Sequence, residues 1–158
     1  MSCLEDFRKW KACCWSERRL LLQSLYWLGF FYLAIRCVTF RRLLGLLDLV
    51  RVQRVSDSPL PAAPEAVGIG RAVRAVGART PWRSTCLIQA LAGMALLHRF
   101  GLSGVMYLGV AKSGDPSEPL QAHAWLQSGD RILTGENGHR KYQVVSCFAR
   151  KDSCYDPR

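Results

Sequence analysis

The sequence predicts an α+β fold in which helices precede an antiparallel sheet. Between residues 20 and 101, apolar residues recur at helical spacing, with one proline-rich interruption. From Gly104 onward the pattern changes to short strands separated by turns. The two patterns occupy separate parts of the chain, which is typical of an α+β fold.

Length and composition restrict the class of protein. A chain of 158 residues is long enough for one ordinary domain, and its 49% of hydrophobic residues excludes a disordered chain. The net charge of +10 favours an acidic partner, such as an anionic membrane surface or an acidic peptide. The basic residues are spread evenly and do not interleave with aromatic ones, so we expect no nucleic-acid partner.

Two helices are predicted in the N-terminal third. The first covers Leu20 to Ile35, an apolar run flanked by Arg18, Arg19 and Arg36. A membrane-spanning helix needs about 20 apolar residues, so this run predicts a buried helix. Contact with a membrane surface and a true span are the alternatives. The second helix covers residues 37–50.

A proline-rich linker at residues 56–64 separates this helical subregion, residues 1–58, from the predicted core, residues 59–158. We expect the two to form one compact domain.

The core is predicted to contain two helices and then four strands. The first helix covers residues 65–78. The second starts near Cys86, with Ser84 or Thr85 as its N-cap, and ends at Gly101. The strands are predicted at residues 105–110, 121–127, 131–134 and 142–148, with turns at 115–119 and 128–130.

The seven cysteines predict an intracellular protein with reduced thiols. Their number is odd, their spacing is irregular, and the first 19 residues do not resemble a signal peptide. Cys147 and Cys154 lack a second pair at ligand spacing, so no metal site is expected. We therefore expect a cytoplasmic protein, with membrane association as an alternative.

Cys86 and His123 are the candidate catalytic pair. Cys86 opens a helix, where the macrodipole and the free backbone N–H groups favour a thiolate. His123 lies in a predicted strand between two alanines, and these small neighbours let another element approach the imidazole. A cysteine and a histidine in this arrangement are typical of acyl transfer.

A third polar group should orient the histidine ring. Glu136, at the end of the following strand, is the preferred candidate, and Asp130 in the hairpin turn is the alternative. Trp82, before the cysteine, and Trp125, after the histidine, are candidates for orienting the site or contacting substrate.

Several ordered blocks resemble the lasso-peptide biosynthesis B proteins, in the form of their standalone transglutaminase-like leader-peptidase module. The blocks are Pro-Trp-x-x-Thr-Cys-Leu, a helix ending in Arg-x-Gly, Leu-Gly-Val and Ala-His-Ala-Trp, and they cover about residues 79–136. The arginine-flanked helices and the closing Tyr-x-Val-Val-x-x-Phe, residues 142–148, are also similar to that module.

The resemblance implies a papain- or transglutaminase-like cysteine protease that removes the leader of a precursor peptide. Cys86 would be the nucleophile and His123 the base. The family's acidic residue commonly falls about a dozen positions after the histidine, where this chain has Thr134-Gly135-Glu136. The protease itself would need no cofactor. ATP would be used by a separate, asparagine-synthetase-like cyclase that acts on the freed amine.

Residues 1–58 do not resemble the peptide-recognition domain that fused family members carry. The resemblance therefore implies that a separate leader-recognition protein delivers the precursor. Two other functions stay open, since a transglutaminase-like module can bind peptides without catalysis, and the same Cys–His pair can transfer an acyl group to an amine.

Overall fold

The computed structural model of the chain describes residues 15–52, 61–113 and 119–151. The helices are α1 (Trp15–Cys37), α2 (Phe40–Leu46), α3 (Pro64–Gly77) and α4 (Cys86–Arg99). The strands are β1 (Leu49–Val52), β2 (Val105–Lys112), β3 (Leu120–Ser128), β4 (Arg131–Thr134) and β5 (Gln143–Arg150). A short 3₁₀ helix, His139–Lys141, precedes β5.

The five strands form one antiparallel sheet in the order β1-β5-β2-β3-β4. Helices α3 and α4 pack on one face, over β4 and β3 respectively, and α1 packs on both helices. Their shared core includes Leu28 and Phe31 of α1, Leu91 of α4 and Leu126 of β3, all without solvent exposure. The predicted α+β fold is confirmed.

The opposite face of the sheet carries a second, smaller apolar cluster around Tyr107, Trp125 and Cys147. The chain between β4 and β5 crosses this face, because β4 is at one edge and β5 lies beyond β2. In this connection, His139 and Tyr142 contact rings on β3. The sheet is therefore covered by helices on one face and by the β4–β5 connection on the other.

The helices of the core agree with the prediction. The structure places α3 over nearly all of residues 65–78, and α4 begins at Cys86 as expected. The α4 helix ends where Gly101 adopts a positive φ of 67° and the Leu102 N–H donates to the Leu97 carbonyl. This is the glycine-terminated helix end that the sequence predicted.

One predicted helix is partly wrong. Residues 37–50 were expected to be helical, but α2 ends at Leu46 and β1 starts at Leu49. Asp48 between them has a positive φ of 50°, which interrupts the helix, and β1 pairs with β5. The predicted linker falls mainly on residues 53–60, and the predicted turn at 115–119 mainly on 114–118, which lie outside the described residues.

Candidate active site

Cys86 is the first residue of α4. The backbone N–H of Ile88 donates to Thr85 Oγ1 at 3.4 Å, so Thr85 is the N-cap, one of the two predicted candidates. The Cys86 thiol is half-buried and forms no disulfide. The backbone N–H groups at this helix end can donate to an oxyanion formed beside the sulfur.

Hydrogen bonds hold the segment that leads to Cys86. Thr80 Oγ1 can donate its one proton to the Trp82 carbonyl oxygen at 3.0 Å, and it lies 2.8 Å from Ser84 Oγ. Gln89 of α4 donates from Nε2 to the Ser84 carbonyl at 3.0 Å. These bonds tie residues 80–85 to the first turn of α4 and so fix the position of the thiol.

Trp82 anchors the same segment to α1. A Cβ at Gly29 would lie 3.6 Å from the Trp82 ring, and the Tyr32 ring centroid is 5.7 Å from that of Trp82. The Trp82 Nε1 is buried and has no hydrogen-bond partner. The structure therefore places Trp82 against α1, where it positions the approach to Cys86.

The His123 imidazole is half-buried on β3 and stacks with two aromatic rings. The Tyr142 centroid lies 4.8 Å from it, and that of Trp125 lies 6.0 Å from it. Its Nε2 is 2.8 Å from the backbone carbonyl oxygen of Gly135. A carbonyl oxygen can only accept, so Nε2 carries the proton, and in the neutral ring Nδ1 keeps a free lone pair for use as a base.

Gly135 is suited to this role because of its backbone. It follows β4 directly and has a positive φ of 72°, a conformation that residues with a Cβ rarely adopt. A Cβ at this position would collide with the Ala124 carbonyl oxygen and with the backbone of Trp125. Only glycine lets the chain lie this close to β3 and present its carbonyl to His123.

The structure brings neither predicted acidic residue to His123. Glu136 has an exposed side chain, and its backbone carbonyl accepts a 2.7 Å hydrogen bond from Nδ1 of His139. Asp130 lies in the turn at the far end of β3, where Oδ1 accepts from the Ala62 N–H at 2.9 Å. The Gly135 carbonyl, next to Glu136 in the chain, holds the imidazole instead.

Trp125 is a buried neighbour of the candidate base. Only 5% of its surface is exposed, and its ring is stacked on that of Tyr107 at 5.5 Å. It supports the His123 ring from within the second apolar cluster. Direct contact with substrate, which the sequence left open, does not fit this burial.

Cys86 and His123 lie at the same level of the sheet. A Cβ at Gly93 of α4 would meet the Leu126 side chain of β3. One turn later in α4, Leu97 contacts Gly104, which precedes β2 and lies beside the end of β3. From Gly93 back to Cys86, α4 spans about 10 Å. From Leu126 back to His123, β3 also spans about 10 Å. Cys86 and His123 therefore both lie near the end of the α4–β3 contact at which α4 begins.

The Cys86 side chain lies on the helical face of the sheet, whereas the His123 side chain lies on the opposite face. Ala124 and Leu126 belong to the core around α4, whereas His123 and Trp125 belong to the other face. Of the two small neighbours of His123, Ala124 packs in this core and Ala122 is exposed. In the described part of the chain, no hydrogen bond joins the Cys86 sulfur to the ring.

The edge of β3 connects these two faces. Strand β4 pairs with β3 only at Leu126, Gln127 and Ser128. Among the described residues, no strand pairs with this edge between Leu120 and His123, and the residues from 120 to 122 are exposed.

Comparison with protein families matches residues 31–147 to the transglutaminase-like superfamily. The chain belongs to the transglutaminase-like superfamily. The match includes Cys86, His123 and the Gly135 carbonyl, and this superfamily contains cysteine peptidases and acyltransferases. No curated protein and no solved structure matches the chain.

Two residues of this transglutaminase-like site were missed from the sequence. Gly135 acts through its backbone, which leaves no side-chain signature, although a glycine a dozen positions after His123 was visible. Tyr142 was assigned to a strand, and only the β4–β5 connection brings its ring to the imidazole. In the described ranges, no group of three or more His, Cys, Asp or Glu residues is placed to hold a metal ion.

Proposed function

We propose that this protein is a cysteine peptidase that removes the leader of a lasso-peptide precursor, with Cys86 as nucleophile and His123 as base. The observation that carries the proposal is the hydrogen bond from His123 Nε2 to the Gly135 carbonyl. This hydrogen bond leaves Nδ1 free to accept a proton, and Cys86 lies at the same level of the sheet as His123. Membership of the transglutaminase-like superfamily supports the same chemistry.

The proposal requires the thiol and the imidazole to meet at the open edge of β3. Because β4 ends at Thr134, no described strand pairs with the edge of β3 between Leu120 and His123. Cys86 is the first residue of its helix and can approach Nδ1 around this edge. The proposed reaction centre is thus at the edge of the sheet, between the face that the helices cover and the opposite face that carries His123.

The steps follow from these positions. Nδ1 takes the thiol proton, and the Cys86 sulfur attacks the scissile carbonyl carbon. The oxyanion that forms is stabilised by N–H groups at the start of α4. The C–N bond breaks, the imidazolium gives its proton to the leaving amine, and a thioester remains. Water then attacks the thioester carbon and gives a proton to Nδ1. The C–S bond breaks, the imidazolium returns that proton to the sulfur, and the leader leaves as a carboxylic acid that ionises in water.

A peptide substrate fits the same edge. An extended peptide can add to an exposed strand edge through main-chain hydrogen bonds, and the edge from Leu120 to His123 offers such groups directly beside the base. The resemblance of residues 79–136 to lasso B proteins is what selects a lasso precursor among peptides. A separate leader-recognition protein would deliver it, and the asparagine-synthetase-like cyclase would use the freed amine.

Thiol labelling tests the catalytic pair. Cys86 should react with iodoacetamide faster than Cys37, an exposed free cysteine that serves as an internal control. His123→Ala should slow the labelling of Cys86 and leave that of Cys37 unchanged. Equal rates at the two cysteines, read by mass spectrometry, would favour a non-catalytic peptide-binding module.

Cleavage of a lasso precursor tests the substrate. Cys86→Ala should abolish leader removal, whereas Cys37→Ala should retain it, and addition of the leader-recognition protein should raise the rate. Cleavage by Cys86→Ala would overturn the assignment of the nucleophile. Products that carry an added amine in place of a new carboxylate would identify an acyl transferase.

A further inference from the structure

One side of α1 is an exposed apolar stripe. Four of its large side chains recur at intervals of seven, four and seven residues, which places them on one face of the helix. They are Trp15, Leu22, Tyr26 and Leu33, with exposed fractions of 72%, 54%, 64% and 62%. Leu25 and Phe30 flank them. From Trp15 to Leu33 the stripe is about 27 Å long.

The other side of α1 is fixed in the core. Leu28 and Phe31 have no exposed surface, and the helix packs on both α3 and α4. By length and composition α1 could cross a membrane, but insertion would pull these buried residues out of the domain. Only the stripe is free to contact another surface, and it can do so with the helix axis parallel to that surface.

Arginines lie on the same face of α1 as the stripe, near both of its ends. Arg19 precedes Leu22 by three residues and Tyr26 by seven, and Arg36 follows Leu33 by three, so both share its face. The Arg36 guanidinium lies 4.0 Å from the Tyr32 ring centroid and donates to the Tyr32 carbonyl. The sequence of α1 and α2 contains five arginines and one acidic residue, Glu17.

The arginines beside the stripe indicate what kind of partner it binds. Two copies of the chain packed through their stripes would bring arginines of like charge together, which is unfavourable. Phosphate groups of anionic lipids would instead neutralise them, while the aromatic and aliphatic side chains enter the boundary of the acyl region. We propose that the α1 stripe binds the surface of an anionic lipid bilayer, with the helix lying in the membrane plane.

The proposal places the candidate active site beside the membrane. Trp82 packs on Gly29 and Tyr32 of the docked helix, and residues 83–85 connect it to Cys86. The segment before the nucleophile would therefore lie close to the lipid headgroups. The proposal itself depends only on the stripe and its arginines, and it holds whether or not Cys86 is catalytic.

Co-sedimentation of the full chain with vesicles tests the proposal. We expect binding to vesicles of equimolar phosphatidylcholine and phosphatidylserine, weak binding to phosphatidylcholine alone, and release by salt. The variant Leu22→Ser/Tyr26→Ser/Leu33→Ser should lose binding at least tenfold. Removal of one arginine, by Arg19→Gln or Arg36→Gln, should weaken it about fivefold.

A matched control removes exposed apolar groups elsewhere. Val50→Ser/Phe100→Ser/Val145→Ser changes three residues that are 40%, 49% and 47% exposed and lie outside α1. It should bind the anionic vesicles like the unmodified chain. Circular dichroism confirms that both triple variants are folded.

Three outcomes would overturn the proposal. One is the absence of binding to anionic vesicles, and another is equal binding by the stripe variant and the unmodified chain. The third is a dimer in sedimentation velocity that the stripe variant abolishes, without vesicle binding by either protein. That result would assign the stripe to a second copy of the chain.

Discussion

At the scale of single residues, the orientation of His123 depends on a backbone carbonyl rather than on a carboxylate. Glu136 was the residue expected from the sequence, yet its side chain is exposed and the adjacent Gly135 carbonyl accepts from Nε2. Glu136→Gln should therefore leave peptide cleavage and Cys86 labelling close to their original rates. A loss of cleavage by orders of magnitude would return the orienting role to Glu136.

Gly135→Ala should both destabilise the protein and slow the labelling of Cys86. The new Cβ meets the Ala124 carbonyl and Trp125, and the backbone must also keep a positive φ. Gly138→Ala is the control, since Gly138 has a similar φ of 75° but no atom within 4 Å of a Cβ. It should cost about 1 kcal/mol of the unfolding free energy, and Gly135→Ala clearly more. If urea unfolding gave equal losses of unfolding free energy for the two variants, the close packing of Gly135 would be contradicted.

We expect Tyr142 to position the proposed base, His123. Its ring lies 4.8 Å from that of His123, so Tyr142→Ala lets the imidazole move and should lower kcat by up to about 100-fold. Tyr142→Phe keeps the stacking ring and should restore kcat. A similar loss in the phenylalanine variant would mean that the hydroxyl group, and not the ring, is what matters.

The sequence reveals these residues unequally. Cys86 and its cap Thr85 could be predicted because a cap and a helix start are local features. The Gly135 carbonyl and the Tyr142 ring reach His123 only through the path of the β4–β5 connection. A pattern of residue types does not encode that path.

At the scale of elements, two glycines of α3 have opposite roles. A Cβ at Gly70 would lie 2.8 Å from the Leu133 carbonyl oxygen of β4, so this glycine permits close packing of helix and strand. Gly68 of the same helix has nothing within 4 Å. Gly70→Ala should destabilise the protein by about 1–3 kcal/mol, and Gly68→Ala should stabilise it by about 0.5–1 kcal/mol. Urea unfolding measures both, and stabilisation by Gly70→Ala would contradict the packing of α3 on β4.

Most helices and strands were predictable because their signals are local. The hairpin between β3 and β4 follows from Ser-Gly-Asp, and Gly129 there has a positive φ of 53°. Strand β1 was not predictable, since its apolar residues continue the helical spacing of α2. Its partner β5 is remote in sequence, and Arg51 of β1 donates to the Val145 carbonyl 94 residues away.

At the scale of the whole molecule, the N-terminal helices and the sheet are joined by extensive packing contacts. The sequence predicted a helical subregion ahead of the core and one compact domain overall. In the structure, α1 packs on α3 and α4, and β1 is an edge strand of the sheet. Trp82, before the proposed nucleophile Cys86, also packs on α1. We therefore expect the described elements to unfold together.

Cys147 offers a probe of this cooperativity, since it lies in β5 on the sheet face opposite the helices and is 3% exposed. Phe31→Ala removes a fully buried ring of α1 and should cost about 3–5 kcal/mol. If α1 and the sheet unfold as one unit, this variant should speed the labelling of Cys147 about 100-fold or more.

Phe30→Ala is the control, because the neighbouring ring is 37% exposed and its loss should change the labelling rate far less. If Phe31→Ala reduced only the helical dichroism and left Cys147 protected, the N-terminal helices would form a separate folding unit. The position of Cys86 would then depend on the docking of that unit through Trp82, rather than on the stability of the whole domain.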